Sequence, residues 1–140
     1  MKLSTKSWLE LADRDLRAAQ KLLEDEYLTN IVLFHCQQCI EKCFKALLEE
    51  ADVTPPKIHG IHRLNALLQE KTPFRLPIND EEIDLIDDIY IDTRYPGSFG
   101  LLPTGFPTKE QTKEILEIAE RIHRETRKIL SKSGENHGSD

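Results

Sequence analysis

No run of apolar residues in the sequence approaches the roughly 20 that a bilayer-spanning helix needs. The opening Met1 to Trp8 leads at once into Glu10, Asp13, Arg14 and Asp15, with no signal-peptide core. A cytoplasmic protein is therefore expected, with no membrane partner. Cysteine is confined to Cys36, Cys39 and Cys43, too few and too crowded for a secreted disulfide framework. On one helix that spacing is ill suited to a relaxed disulfide. With no second Cys pair and no histidines at zinc-finger spacing, it does not make a metal knuckle either. The three read as small core thiols. Aromatic residues are only 6% of the chain, and the net charge of −6 argues against broad, nonspecific capture of nucleic acid, so any phosphate site must be local. Glycine-rich phosphate loops, strand-like alternation and internal repeats are missing as well.

What is present is helical periodicity around a central polar stripe. Between residues 31 and 48, Cys36, Cys39, Cys43 and Ala46 share one face, and Leu33, Ile40, Phe44 and Leu47 fill the adjoining sector. His35, Gln38, Lys42 and Lys45 follow steps of three and four on the remaining arc, a donor-rich stripe suited to an anion. Before this helix, Ser4 or Thr5 is a candidate cap for a first helix to about Asp25, with Trp8, Ala12, Leu16, Ala19 and Leu23 on one side. The central helix is expected over about Thr29 to Ala51. Pro55 and Pro56 end it, and a basic connector leads into a short third helix through about Lys71. Asn79 with Glu82, and Thr108 with Gln111, have capping-box spacing at the start of a fourth helix to about Thr93 and a fifth to about Leu130. Between them, residues 94–107 mix three prolines and three glycines with Phe99, Leu101, Leu102 and Phe106, a loop with apolar anchors. Residues 131–140 are expected to be a disordered tail beyond a single domain of residues 1–130. The fold class is all-α, an antiparallel up-and-down bundle of about five helices.

Four segments in this order resemble the HEPN domain family. They are Trp8, Ala12, Asp15, Leu16 and Ala19; Phe34, Gln37, Gln38, Glu41, Lys42, Lys45, Ala46 and Leu47; His62, Arg63 and Leu64; and Arg94, Tyr95 and Pro96. The resemblance spans residues 8 to about 130. It implies a helical bundle that commonly dimerises, is often encoded beside a minimal nucleotidyltransferase, and in some branches is a metal-independent RNase toxin. Those RNase branches place a His after a motif Arg with four to six residues between the two. If Arg94 is that Arg, the corresponding positions hold Phe99, Gly100 and Leu101, none of which can shuttle a proton.

The expected function is accordingly a nucleotide-binding or substrate-binding module acting beside a separate minimal nucleotidyltransferase, in a toxin–antitoxin-like or two-component system, and not catalytic alone. Two alternatives stand beside it: an RNase toxin with a degenerate Arg/His pair acting on RNA, and a structural dimerisation subunit. No cofactor or metal is expected, and ATP or GTP would be the ligand. The candidate nucleotide-binding residues are Gln38, Lys42, Lys45, His62, Arg63, Arg94 and Tyr95. Arg94 would offer phosphate a bidentate fork, or else pair with Asp88 or Asp92. Gln38 and Lys42 divide between ligand pocket and structural network, whereas Gln37 and Glu41 are expected to hold neighbouring helices by buried hydrogen bonds. His62 either starts the third helix through a backbone hydrogen bond or contacts the ligand. Asp84, Asp87 and Asp88 have metal-like spacing but read as an exposed charged face. In the last helix, acids early and bases late complement the dipole, and Glu117–Arg121 and Glu120–Arg124 have pairing spacing. A homodimer is expected, from the apolar surface of residues 31–48 and the loop at 99–106.

Overall fold

The computed structural model describes residues 1–57, 60–94 and 107–138, and the side chains of all of these except 89–94 and 134–138. Among the described residues are five α-helices, one short 3-10 turn and no strand: α1 (Leu3–Leu22), α2 (Thr29–Glu50), α3 (Ile61–Lys71), α4 (Asp80–Arg94) and α5 (Lys109–Gly138). The expected all-α bundle is what forms.

The wide apolar arc of α2 explains its place at the centre. It packs against α1, α3, α4 and α5 at once. Its Phe44, Leu47 and Leu48 join Ala12 and Leu16 of α1, Leu64 and Leu68 of α3, Ile83 and Ile86 of α4, and Ile115 and Ile122 of α5 in one core. Each fully buried aliphatic side chain contributes roughly 1.5–3 kcal/mol. The apolar surface of residues 31–48 is thus covered within the chain, with Ile31 still 39% exposed, so it does not by itself call for a second copy. The other basis for that expectation, residues 99–106, lies outside the described residues.

Both capping boxes form. Glu82 N–H donates to Asn79 Oδ1 at 2.8 Å while Asn79 N–H donates to Glu82 Oε1 at 3.1 Å. Gln111 and Thr108 exchange the same pair at 3.1 and 2.9 Å. The start of α1 differs from expectation: Lys2 holds the cap position, and Thr5 lies inside the helix, buried, its hydroxyl donating to Glu50 Oε1 at 3.1 Å. A partner 45 residues away has taken the hydroxyl from its local capping role. The helix also stops at Leu22, because Asp25 accepts from Tyr27 N–H and opens the 3-10 turn instead. At the end of α2, Asp52 adopts a left-handed φ of 62°. Its amide donates to Glu49 O and that of Val53 to Leu48 O, a Schellman stop with Asp where glycine is usual. Finally, α5 runs to Gly138, well past the end expected near Leu130. Ser133 on that extension donates to Glu50 Oε2 at 3.2 Å, tying it to the end of α2.

Candidate functional site

The polar stripe of α2 meets its anion inside the chain. Asp15, on the apolar side of α1 between Ala12 and Leu16, is held with 11% of its side chain exposed. Its Oδ1 lies 2.8 Å from His35 Nδ1, and its Oδ2 accepts from Lys42 Nζ at 2.5 Å. His35 and Lys42 are two turns apart on α2, so one carboxylate on the facing helix is bracketed by both. One turn on, Lys45 places its ammonium 5.4 Å from the centroid of the Trp8 ring, a cation–π contact that also faces α1.

A second polar chain leaves α2 from its other side. Gln38 Nε2 donates to Gln37 Oε1 at 3.0 Å, and Gln37 Nε2 donates to the buried Glu41 carboxylate at 2.7 Å. That same Glu41 oxygen accepts the amide of Gly60 at 3.2 Å, just where α3 begins. Gly60 has φ 119°, a backbone shape that suits glycine, and it lets the amide turn inward before Ile61 enters the helix. The orphan amides at the start of α3 are then received from α4. Asp87 accepts Ile61 N–H at 2.9 Å and His62 N–H at 3.4 Å. Asp84 Oδ1 lies 2.5 Å from His62 Nε2. The acids that look like a plain charged face are, at Asp84 and Asp87, the cap of a neighbouring helix.

The candidate residues therefore separate. Lys42 and Lys45 face α1, whereas His62 faces α4, so Lys42 and His62 do not share one pocket in this arrangement. Gln38 joins the Gln37–Glu41 chain. Arg63 is exposed and makes no hydrogen bond or ion pair among the described residues. Arg94 is the last residue of α4; its side chain, and Tyr95 entirely, lie outside what is described. The backbone of Arg94 is seven residues beyond Asp87, about 10 Å further along the α4 axis.

Other charged groups were not singled out by spacing. Glu50 is buried and accepts from Lys2 N–H, Thr5 and Ser133. Burial pushes its carboxyl up, but these donors and the terminal amine outweigh that and hold it below its ordinary value. The ion pair expected inside α5 between Glu117 and Arg121 is replaced by one to α4, with Arg121 donating to Glu82 Oε2 at 2.5 Å. Glu120 likewise accepts from Gln20 of α1 at 3.0 Å and not from Arg124. Packing against neighbours offers these side chains shorter routes than their own helix does. The cysteines are chemically quiet: burial, then the charge of Glu120, pushes the Cys36 thiol up to about 12. A hydrogen bond to Cys43, with burial, raises Cys39 well above its usual value.

An all-α bundle whose central helix carries a buried Gln/Glu chain to the next helix start defines a helical domain of one recognisable kind. The HEPN domain profile matches residues 5–129, and the chain belongs to that family. Its structure is similar to that of TT1696 from Thermus thermophilus, with a TM-score of 0.68 and 26% identity over 91% of this chain and 98% of that one. It is also similar to ST0689, an archaeal HEPN homologue, with a TM-score of 0.63 and 21% identity over 93% and 99% of the two chains, a likeness of fold. No curated protein matches it.

Proposed function

We propose that the chain is a nucleotide-binding or substrate-binding module that acts as a homodimer beside a separate minimal nucleotidyltransferase, in a two-component or toxin–antitoxin-like system, without catalysis of its own. Membership of the family supports this reading. The observation that carries it is the hydrogen-bonded path from Glu41 through Gly60 to His62 and Asp84. That path sets Arg63, exposed and without an ion pair among the described residues, on the helix pair whose α4 ends at Arg94. His62, Arg63, Arg94 and Tyr95 are the groups for phosphate and base. Gln38, Lys42 and Lys45 support them as framework, their polar heads engaged by Gln37, Asp15 and Trp8. With no His after Arg94 at a separation of four to six intervening residues, the chain lacks the proton carrier of the RNase branches.

In an acidic protein without a phosphate loop, affinity for ATP or GTP falls at about micromolar to millimolar Kd. Calorimetry on the wild type and on Arg63→Ala, Arg94→Ala and Lys42→Ala tests it. Binding should be lost in the first two variants and kept in the third; equal binding by all four proteins would remove the site. RNA incubated with pure protein should stay intact, whereas cleavage abolished by Arg94→Ala would establish the RNase reading instead.

A further inference from the structure

The C-terminal half of α5 carries a cationic track. His123, Arg124, Arg127, Lys128, Ser131 and Lys132 line an open cleft of about 710 Å³. They fall in two rows at steps of four, His123 with Arg127 and Ser131, and Arg124 with Lys128 and Lys132. From Arg124 to Lys132 the track is about 12 Å long. Arg124, Arg127 and Lys132 have no hydrogen bond or ion pair among the described residues, and Lys128 meets only Glu125, at 3.4 Å. With Glu125 beside Lys128 and Asp13 beside His123, the four cations still leave a local excess of positive charge on a chain whose net charge is −6.

Complementing the helix dipole does not account for this track. The dipole acts within about the last turn. Because α5 continues to Gly138, Arg124 and Arg127 lie about three to four turns before its end. His123 is 7% exposed, and its Nε2 is a buried polar atom with no hydrogen-bond partner. Asp13 Oδ1 stands 3.3 Å away without the alignment of a hydrogen bond. Burial lowers the ring's proton affinity, Arg127 adds to this and Asp13 opposes it, so the ring belongs to the packed edge of the track beside Asp13.

We propose that this cleft binds the phosphodiester backbone of a single-stranded nucleic acid, without reading its bases. In a duplex one strand presents a charge about every 3.4 Å of axis, so the track spans three to four phosphates, the number of cations along it. The two rows sit side by side on one helix and offer one strand a single path. Among the described residues no Phe, Tyr or Trp lines the cleft, and the His123 ring is buried, so bases gain no stacking platform. Nor does an apolar side chain line it among the described residues, which a membrane-surface site would need.

Fluorescence anisotropy with labelled oligo-uridylate, oligo-deoxythymidylate and oligo-adenylate tests this. Three to four contacts give a log–log salt slope of about −2 to −3, a loss of about twenty- to fiftyfold in affinity between 50 and 200 mM salt. Arg124→Gln/Arg127→Gln should make the slope shallower by about 1.4. Lys109→Gln/Lys113→Gln changes the net charge equally at the other end of α5 and should leave binding unchanged. Circular dichroism verifies that both variants remain helical. Similar affinity for the three oligonucleotides supports a backbone site. Restriction to one base, equal loss in both variants, absence of salt-sensitive binding, or binding to phosphatidylserine vesicles in place of oligonucleotides would each overturn it. The site is independent of the nucleotide site on α3 and α4: ATP should not displace the oligonucleotide, and displacement would refute two separate sites.

Discussion

Asp15→Ala removes the one carboxylate that both His35 and Lys42 reach, so it is the sharpest perturbation of the α1–α2 contact. A hydrogen bond between charged groups contributes about 1.5–3 kcal/mol and a neutral one about 1 kcal/mol. Breaking a fully buried pair costs about 3–5 kcal/mol, because the surviving charge is stranded. Here Lys42 remains 22% exposed and can swing its ammonium outward, which limits the cost. The expected loss is about 2–4 kcal/mol, a drop in Tm of roughly 6–15 °C for a chain of this size. Urea unfolding followed by circular dichroism measures it. Lys42→Met should cost less, since the methionine stem packs where the lysine stem does and Asp15 keeps His35. Asp15→Ala/Lys42→Met should recover part of the loss, with a coupling energy of about 1–2 kcal/mol. An Asp15→Ala variant within about 0.5 kcal/mol of wild type, or a coupling energy near zero, would refute the bracketed carboxylate as a structural element.

Glu50 shapes the acid limb of stability. Its folded pKa lies below the unfolded value, so its contribution is full above about pH 4.5 and drains away as pH falls through the folded value. Glu50→Gln should be less stable at neutral pH and show a flatter decline below pH 4.5, and parallel wild-type and variant curves of Tm against pH would contradict this. Gly60→Ala places a side chain at φ 119° and should destabilise the fold by about 1–3 kcal/mol, read by urea unfolding; an unchanged midpoint would mean the turn relaxes freely. The thiols of Cys36 and Cys39, raised by burial, should react with a disulfide reagent only as fast as the protein opens, with full reactivity in denaturant, and rapid labelling of the native chain would contradict their placement.

The fold was legible wherever the signal was local. The capping boxes at Asn79 and Thr108 need only a partner three residues away, and both form. The start of α1 was misplaced because the hydroxyl of Thr5 is claimed by Glu50 from another helix. The length of α5 was underestimated for a similar reason, since Ser133 is anchored by that same distant carboxylate. For the site, periodicity revealed the stripe of His35, Gln38, Lys42 and Lys45 but not what lies across from it. The anion suited to that stripe is Asp15, and its one sequence signal is a carboxylate among the apolar positions of α1. Asp87 was similarly hidden: a helix cap supplied by another helix has no fixed sequence spacing.

The most direct test of the proposed function is a map of amide chemical-shift changes in the full-length protein as ATP is added. The binding surface is expected on α3 and the end of α4, with shifts at His62, Arg63, Arg94 and Tyr95 that saturate together and disappear in Arg94→Ala, while Lys42 and Lys45 stay in place. Shifts centred on Lys42 and His35, with the Asp15 bracket opening, would contradict the division between framework and site, and no shift at any residue would leave a structural subunit that binds no nucleotide.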